Sequence, residues 1–526
     1  MHSACRTRLN CPRRVIDVGN DGLSPRLHPT NQRDGLIAYC CLSYCWGGDQ
    51  SVRTTWDTLA DYVKSIPVDR LPRTIRDAIR ATVKLGLRYI WIDALCIIQD
   101  DPVDKMREIA NMPYIFKGAR VTLLAASAAT STAGFLQPRN SLGRVEDTCF
   151  KLPFSDAGGA KGSVILAQKP LFETKSEPVD NRAWILQEQL LSPRLLIFGS
   201  ERIWWSCLTS SCADGGQNDL RATRIGKIRH LFSTSSMTQN ALETNIILRD
   251  ARWEAIVEEY TQRKRTMPDD MLPAISGIAE DYRHDADFIY LAGLWKHSFP
   301  HNLLWFNLKS QERANNRTVS LCKRPSKYRA PTWSWTSIDD PVKFTRREQF
   351  NARNAGSLSL DYRPELITGE VALVSELAPH GEVKSGTIKI QAHVRKMLLK
   401  RNQWNLRLYD PNFTGFQPPG EFYKDAAEDV YLSCDKDEHS LPVLCLQIVE
   451  AQGIVLVTES RYCFRRVGYY RFDTRTRDSD SMWIGLPATT DAPITMEQKY
   501  REEAQRKDRD IKTWLGLWST ETITIV

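Results

Sequence analysis

The stretch "RYIWIDALCIIQDD", Arg88 to Asp101, is almost continuously apolar, with one acid, Asp93, set in its middle and a polar, acidic exit. A short run of this kind, bounded by polar residues, reads as a strand buried on both faces, as in a parallel sheet. Its neighbours agree. Upstream, "LPRTIRDAIRATVKLGLRY" carries Ile75, Ala78, Ile79, Thr82, Val83 and Leu85 at helical spacing between Pro72 and Gly86, which predicts an amphipathic helix. Downstream, "DPVDKMREIANMPYIFKGA" predicts a second helix opened by Asp101 and Pro102, and "RVTLLAASA" a third buried strand. Earlier, "RVIDVG" and "LIAYCCLSYCWGG" read as short strands, the latter leaving the sheet at Gly47 and Gly48. Strands alternating with helices over short connections predict an α/β domain with a parallel sheet covered by helices.

Beyond about residue 130 the periodicity weakens. Residues 130–180 read as an insertion holding a hairpin or two, after which "NRAWILQEQLLSPRLLIFGSERIWWSC" gives a helix stopped near Ser192 and Pro193 and a strand pair. Residues 215–345 look mainly helical, with "RWEAIVEEYTQR", "DMLPAISGIAEDYR" and "YLAGLWKHSF", and from about 355 onward short alternating strands predominate. The expected organisation is therefore an α/β domain over 1–200 with its core at about 35–200, a helical accessory region over 201–345, and a β-rich region over 346–526.

Composition excludes several classes of function. The net charge of +8 comes from 71 basic and 63 acidic residues dispersed along the chain, with no basic stripe interleaved with aromatics, so no nucleic-acid partner is expected. No apolar run approaches the ~20 residues needed to span a bilayer, and "MHSACRTRLNCPRR" lacks the core of a signal peptide, so the expected address is cytoplasmic. The 13 cysteines lack zinc-finger spacing and read as reduced, mostly buried thiols, with no metal expected. Neither an HExxH nor a P-loop pattern occurs.

Asp93 sits towards the carboxyl end of its strand, where a parallel sheet binds ligands; it either reaches into such a crevice or, as acids at sheet ends commonly do, ties down loop amides. Four segments together resemble the fungal heterokaryon-incompatibility (HET) domain: "YCCLSYCWGG" (39–48), "LPRTIRDAIRATVKLGLRYIWIDALCIIQDD" (71–101) continuing through "MREIANMPYIFKGARVTLLAASA", "RAWILQEQLLSPRLLIF" (182–198) and "APTWSWTSID" (330–339). Cys40 and Cys41 stand where that family commonly has smaller or aliphatic residues, and Pro113 falls where the second helix normally runs on. The resemblance implies a role in fungal non-self recognition, with growth arrest or cell death as the output, exerted with unidentified protein partners or by self-association.

HET domains are in turn similar to Toll/interleukin-receptor (TIR) domains, a flavodoxin-like doubly wound fold that in some lineages hydrolyses NAD. TIR chains open with an apolar strand ending in a Ser-Tyr-like turn, matched here by "CCLSYCWGG", and place a catalytic glutamate four residues after a tryptophan, matched by Trp184 and Glu188. The similarity makes Glu188 the candidate catalytic residue and NAD the candidate substrate, with no cofactor required. In a candidate NAD crevice, Trp46 would stack on a ring, Ser43 would stand at the strand exit, and Gly47 and Gly48 would admit phosphate to backbone amides. Arg182 would pair with the diphosphate, and Asp93 and Gln99 would shape the rim. Each has a plainer reading. Glu188 could be a solvated residue of an amphipathic helix, Trp46 a cap on the core, the Gly47–Gly48 pair only a turn, and Trp333 and Trp335 packing anchors between domains. The alternative to an enzyme is a non-enzymatic signalling module that assembles with partners.

Overall fold

The structure, a computed structural model, describes residues 12–30, 37–138, 149–155, 158–159, 161–167, 176–213, 226, 229, 242–283, 288–314, 319–345, 364–376, 378–402, 405–414, 420–429, 440–449, 451–472, 505–507, 509–510, 513–514 and 516–526. The chain divides into two compact units, the first made of Met1–Asn240, Arg263–Thr266 and Ala274–Asp281, the second of Ala241–Gln262, Met267–Pro273 and Tyr282–Val526.

In the first unit the chain runs β1 (Arg14–Asp17), β2 (Arg26–Pro29), β3 (Tyr39–Ser43), α1 (Trp56–Lys64), α2 (Arg73–Lys84), β4 (Tyr89–Trp91), a helical turn α3 (Asp93–Cys96), α4 (Pro102–Gly118) and β5 (Val121–Leu124). A hairpin, β6 (Cys149–Ser155) and β7 (Lys161–Ala167), falls within the expected insertion, followed by α5 (Ala183–Leu191), β8 (Arg194–Phe198), β9 (Ile203–Cys207) and β10 (Ser211–Ala213). The eight-stranded sheet has the order β10-β9-β8-β5-β3-β4-β1-β2. It is mixed rather than wholly parallel. Only β4, β3, β5 and β8 pair in parallel, while the pairings β4–β1 and β1–β2 at one edge and β8–β9 and β9–β10 at the other are antiparallel. The short connections between β1 and β2, β8 and β9, and β9 and β10 cannot hold the crossover a parallel neighbour requires. From β3 the chain passes first to β4 on one side and then to β5 on the other, so the direction of winding switches between β3 and β5. The carboxyl ends of these two strands are where open α/β sheets form a crevice.

The opening stretch departs from its expected form. The strand lasts only from Tyr89 to Trp91, and Asp93 begins the turn α3. Its carboxylate accepts the Ala94 amide at 2.7 Å, and the turn is clamped from outside by Arg14 Nε donating to the Cys96 carbonyl at 2.6 Å and the Ile98 amide donating to Asp104 at 2.9 Å. Local capping by Asp93 ends the strand despite the apolar sequence beyond it. Helix α2 buries Ile75, Ala78, Ile79 and Thr82 as its spacing requires, and ends before Gly86, whose φ of +70° suits a stop. Asp101 caps α4 through the amides of Val103 and Asp104. The helix continues through Pro113, so the proline does not shorten it. The Pro113 ring lies against Gly277 of the helix Pro273–Tyr282, where a Cβ would stand 2.2 Å from Pro113 Cγ and 2.7 Å from Gln187 Oε1.

The second unit contains the helices Leu242–Thr261 and Leu308–Ala314 and the strands β11 (Tyr290–Leu291), β12 (Leu294–Trp295), β13 (Trp305–Asn307) and β14 (Val342–Phe344). The segment "YLAGLWKHSF", expected to be helical, is the β11–β12 hairpin, because Ala292 and Gly293 at φ of 45° and 97° turn the chain back within two residues. Strands β15 (Glu365–Leu373), β16 (Val383–Asn402), β17 (Asn405–Tyr409), β18 (Gly420–Lys424), β19 (Ser440–Val449), β20 (Gln452–Ser460), β21 (Cys463–Phe472) and β22 (Ser519–Ile525) complete it. Successive antiparallel pairings β16-β17-β18-β21-β20-β19-β16 close a six-stranded ring, which leaves these strands no free edge along the paired stretches. Trp333 and Trp335 of "PTWSW" are fully buried within this unit, with Trp335 donating to the Gly293 carbonyl at 2.9 Å and the Trp333 carbonyl accepting from Trp305 at 2.9 Å. Beside them Arg466, wholly buried, donates to Asp425 at 2.9 Å and to the carbonyls of Leu303 and Trp305 at 2.6 Å each, with its guanidinium 3.5 Å from the Trp305 ring centroid.

Two stability measurements test this packing. Gly277→Ala is expected to cost about 1–3 kcal/mol by overpacking in chemical denaturation, whereas Gly86→Ala, with open space around it, pays only for its positive φ. Arg466→Met, which leaves the buried Asp425 with only the longer contact to Arg324 at 3.7 Å, is expected to cost about 3–5 kcal/mol, and adding Asp425→Asn should restore part of that loss.

Candidate functional site

The end of β3 delivers Ser43, Tyr44, Cys45 and Trp46 in succession to the carboxyl edge of the sheet, and the end of β4 delivers Asp93 beside them. The Trp46 indole donates to Asp93 Oδ2 at 2.8 Å. Helix α5 then brings Arg182, at its N-cap, and Glu188 to the same place. Arg182 is fixed by its backbone: it forms a parallel bridge with Lys264, and Arg263 Nη1 donates to its carbonyl at 3.3 Å.

Helix α5 is not amphipathic. Ala183 and every residue from Ile185 to Leu191 are buried, so Glu188, 8% exposed, is enclosed rather than solvated. A helix apolar on most faces belongs inside the protein, and its polar side chains then need specific surroundings. Gln187 has one, its Oε1 accepting the Gly277 amide at 2.7 Å. For Glu188 the surroundings are Ser43, Asp93 and Arg182.

Electrostatics follow from that crowding. Burial pushes the Glu188 carboxyl up to about 8; the Asp93 charge adds to the rise, while Ser43 and Arg182 oppose it. Burial also raises the Asp93 carboxyl, against the Ala94 amide, the Trp46 indole, Tyr44 and Arg182, all of which favour its charge. Burial drives the Tyr44 hydroxyl well above the usual tyrosine range, with Asp93 and Glu188 reinforcing the effect. The hydroxyls of Ser43 and Tyr44 face these carboxyls without a hydrogen bond of ordinary geometry, so two polar groups stand ready at the site. Two carboxyl groups sharing one enclosure with one guanidinium cannot both ionise freely, and the protons belong to the pair.

Ser43, Trp46, Asp93, Arg182 and Glu188 are thus one cluster. Gly47 and Gly48 follow it on the adjoining loop at φ of +75° and +127°; a Cβ on Gly47 would meet Thr130 Cγ2 at 2.4 Å, whereas Gly48 faces open space. Gln99 is turned elsewhere, its amide donating to the carbonyls of Asp93 and Ile97 at 3.1 and 3.3 Å, so it braces the α3 turn. Trp46 packs against the core, and its indole orients Asp93. Tyr44 was not a candidate from sequence, although it stands within "CLSYCWGG"; the signal that could have found it is the strand exit itself, which carries successive residues into the crevice. Arg14 and Asp104, which hold the turn bearing Asp93, have no sequence signal at all. Among the described residues no group of three or more histidine, cysteine or acidic side chains is arranged to hold a metal ion, and no helix is long and apolar enough to cross a membrane.

Comparison with known proteins places this site in a family. No curated protein and no solved structure matches the chain. The family model described as heterokaryon incompatibility protein (HET) matches residues 39–188, an interval that begins on β3, ends on Glu188 and contains Ser43, Trp46, Asp93, Arg182 and Glu188. The chain carries a heterokaryon incompatibility (HET) domain over residues 39–188.

Proposed function

We propose that this protein acts in fungal non-self recognition and regulated cell death, in the cytoplasm, and that its HET domain, TIR-like in its parallel core, does so by hydrolysing NAD. The observation that carries this reading is the enclosure of Glu188 with Asp93 and Arg182 at the carboxyl ends of the strands where the winding switches. Breaking the nicotinamide–ribose bond sends its electron pair to the nicotinamide nitrogen, which leaves neutral, and develops positive charge at the ribose carbon. A carboxylate beside the ribose stabilises that charge, water adds to the same carbon, and its proton passes to a carboxylate. Glu188 suits the first task and Asp93 the second. On this reading Arg182 pairs with the diphosphate, and phosphate approaches the backbone on the open side of Gly48.

A protonated Glu188 stabilises no cation, so its titration governs the rate. The carboxylate form becomes dominant above about 8 in the free protein, so kcat/KM for NAD is expected to rise about tenfold per pH unit from pH 6 and level off near that value. The decisive assay is NAD loss and nicotinamide release by the purified full-length protein beside Glu188→Gln. A fall of about 100-fold or more in the variant supports the enzyme. No turnover in the parent, even when it is forced to self-associate, would replace it with a signalling module acting through protein partners.

The same burial sets a stability test. A carboxyl whose folded pKa lies above its unfolded 4.5 keeps its proton in the folded chain while the unfolded chain has already lost it, so between about 4.5 and 8 folding is progressively disfavoured as pH rises. Glu188→Gln escapes that penalty. Its Tm is expected to equal the parent's near pH 4.5 and to exceed it by an amount that grows up to pH 8; a gap that shrinks with pH would contradict the assigned burial.

A further inference from the structure

The second unit holds a cleft of about 370 Å³ built by four separate parts of its chain: the segment from Arg324 to Ser337 that includes "PTWSW", residues Ser385–Thr387 of β16, the β20–β21 hairpin through Glu459 and Arg465, and Val526 beyond β22. That volume is within the range of small-molecule sites. Four basic side chains, Arg324, Lys327, Arg329 and Arg465, stand on its wall against a single acid, Glu459.

Three of the four cations are held in position from behind. Arg324 makes a two-pronged pair with Asp429 at 2.8 Å on each side and donates to Ser337 Oγ at 2.7 Å. Arg465 donates to the same Asp429 at 3.0 Å, and Arg329 to Asp339 at 2.7 Å. Asp429 and Asp339 do not line the cleft, so Arg324 and Arg329 are steadied from outside it, whereas Arg465 also pairs with the cleft's own Glu459 at 3.3 Å. Such fixing lowers the ordering cost when an anion binds. Lys327 is different, with a side chain 78% exposed on the rim and able to close over an occupant. Between the charges lie Pro325, Tyr328 and Ala330, which give the cleft an apolar side. Gly386 permits its depth: a Cβ there would stand 2.6 Å from Pro331 Cγ and 3.3 Å from Trp333, so any larger residue would push β16 off that wall.

We propose that this cleft is a binding site for a small organic anion, one with a flat apolar body carrying a phosphate or carboxylate. The apolar side takes the body and the prearranged arginines take the oxyanion. This site is independent of the HET-domain cluster and of any reaction there.

Calorimetric titration of the full chain with phenyl phosphate, benzoate and benzyl alcohol tests it. At least one of the two anions is expected to bind saturably at or below about 1 mM, at least about tenfold more tightly than the neutral alcohol. A preference for phenyl phosphate assigns a phosphorylated ligand, and one for benzoate a carboxylic acid. Lys327→Gln, on the exposed rim, should weaken the anion by about threefold to tenfold, and Thr387→Phe, which fills the cleft from an exposed strand position, should remove binding while leaving Tm unchanged. The proposal is overturned if neither anion saturates, if benzyl alcohol binds as well as they do, or if both variants bind like the parent.

Discussion

An acid at the end of a buried strand has to be answered by donors, and in the HET domain Asp93 is answered from four directions. Its own turn supplies the Ala94 amide and the exit of β3 the Trp46 indole as hydrogen-bond donors, while the nearby Tyr44 hydroxyl and the charge of Arg182 also favour the carboxylate. An isolated carboxylate in such surroundings would cost several kcal/mol. The requirement to satisfy it therefore fixes the relation between β3, β4 and α5. The clamp of Arg14 and Asp104 on the α3 turn extends that requirement to β1 and α4. Glu188 enters the same enclosure, where burial first and the Asp93 charge second hold its proton near neutrality against Ser43 and Arg182.

The second unit solves a similar problem with the signs exchanged. Arg466 is a wholly buried cation, satisfied by Asp425, by two backbone carbonyls and by the face of Trp305. Its neighbour Arg324 joins the same network through Asp429 and the Arg466 carbonyl at 3.1 Å. Planar guanidinium groups suit this role, since each can meet several acceptors in one plane. The consequence is a set of arginines whose orientations are settled before any ligand arrives, which gives the nearby cleft its character.

Much of the α/β core was legible because its periodicities are strong. The helical spacing from Ile75 to Thr82, the Asp101–Pro102 start of α4 and the Ser192–Pro193 stop of α5 each report a local rule that tertiary packing does not override. The length of β4 was not legible. "YIWIDALCII" is equally apolar on both sides of Asp93, and only the amide of Ala94 and the distant Arg14 and Asp104 decide that the chain turns there. The antiparallel edges escaped for another reason: a short strand carries no mark of its partner's direction. "YLAGLWKHSF" misled because its apolar spacing is compatible with a helix, whereas the left-handed turn at Ala292 and Gly293 is fixed by Trp253 and Trp335, both of which donate to the Gly293 carbonyl. In the site, the approach of Ser43, Trp46, Asp93, Arg182 and Glu188 followed from a family resemblance carried by separated motifs, while the burial that gives Glu188 its unusual proton affinity could not be read from "RAWILQE". That segment looks like half of an amphipathic helix until its other faces are covered.

Stability alone does not account for the pair. A glutamine at position 188 would fill nearly the same volume, carry no charge that has to be neutralised, and offer both a donor and an acceptor to Ser43, Asp93 and Arg182. A side chain that weakens the fold as pH rises towards 8, where its isostere would not, is the kind of cost that sites of chemistry carry. Burial alone is not the distinction, since it also raises the carboxyls of Glu108 and of Asp425, the partner of Arg466. Asp17, although burial opposes its charge, is brought down to about 2 by Arg88, the Gly19 amide and Arg26, and so stays ionised at every physiological pH. Two arginines keep Asp17 ionised, whereas Glu188, with Arg182 shared between two carboxyls, is left with a proton affinity inside the physiological range.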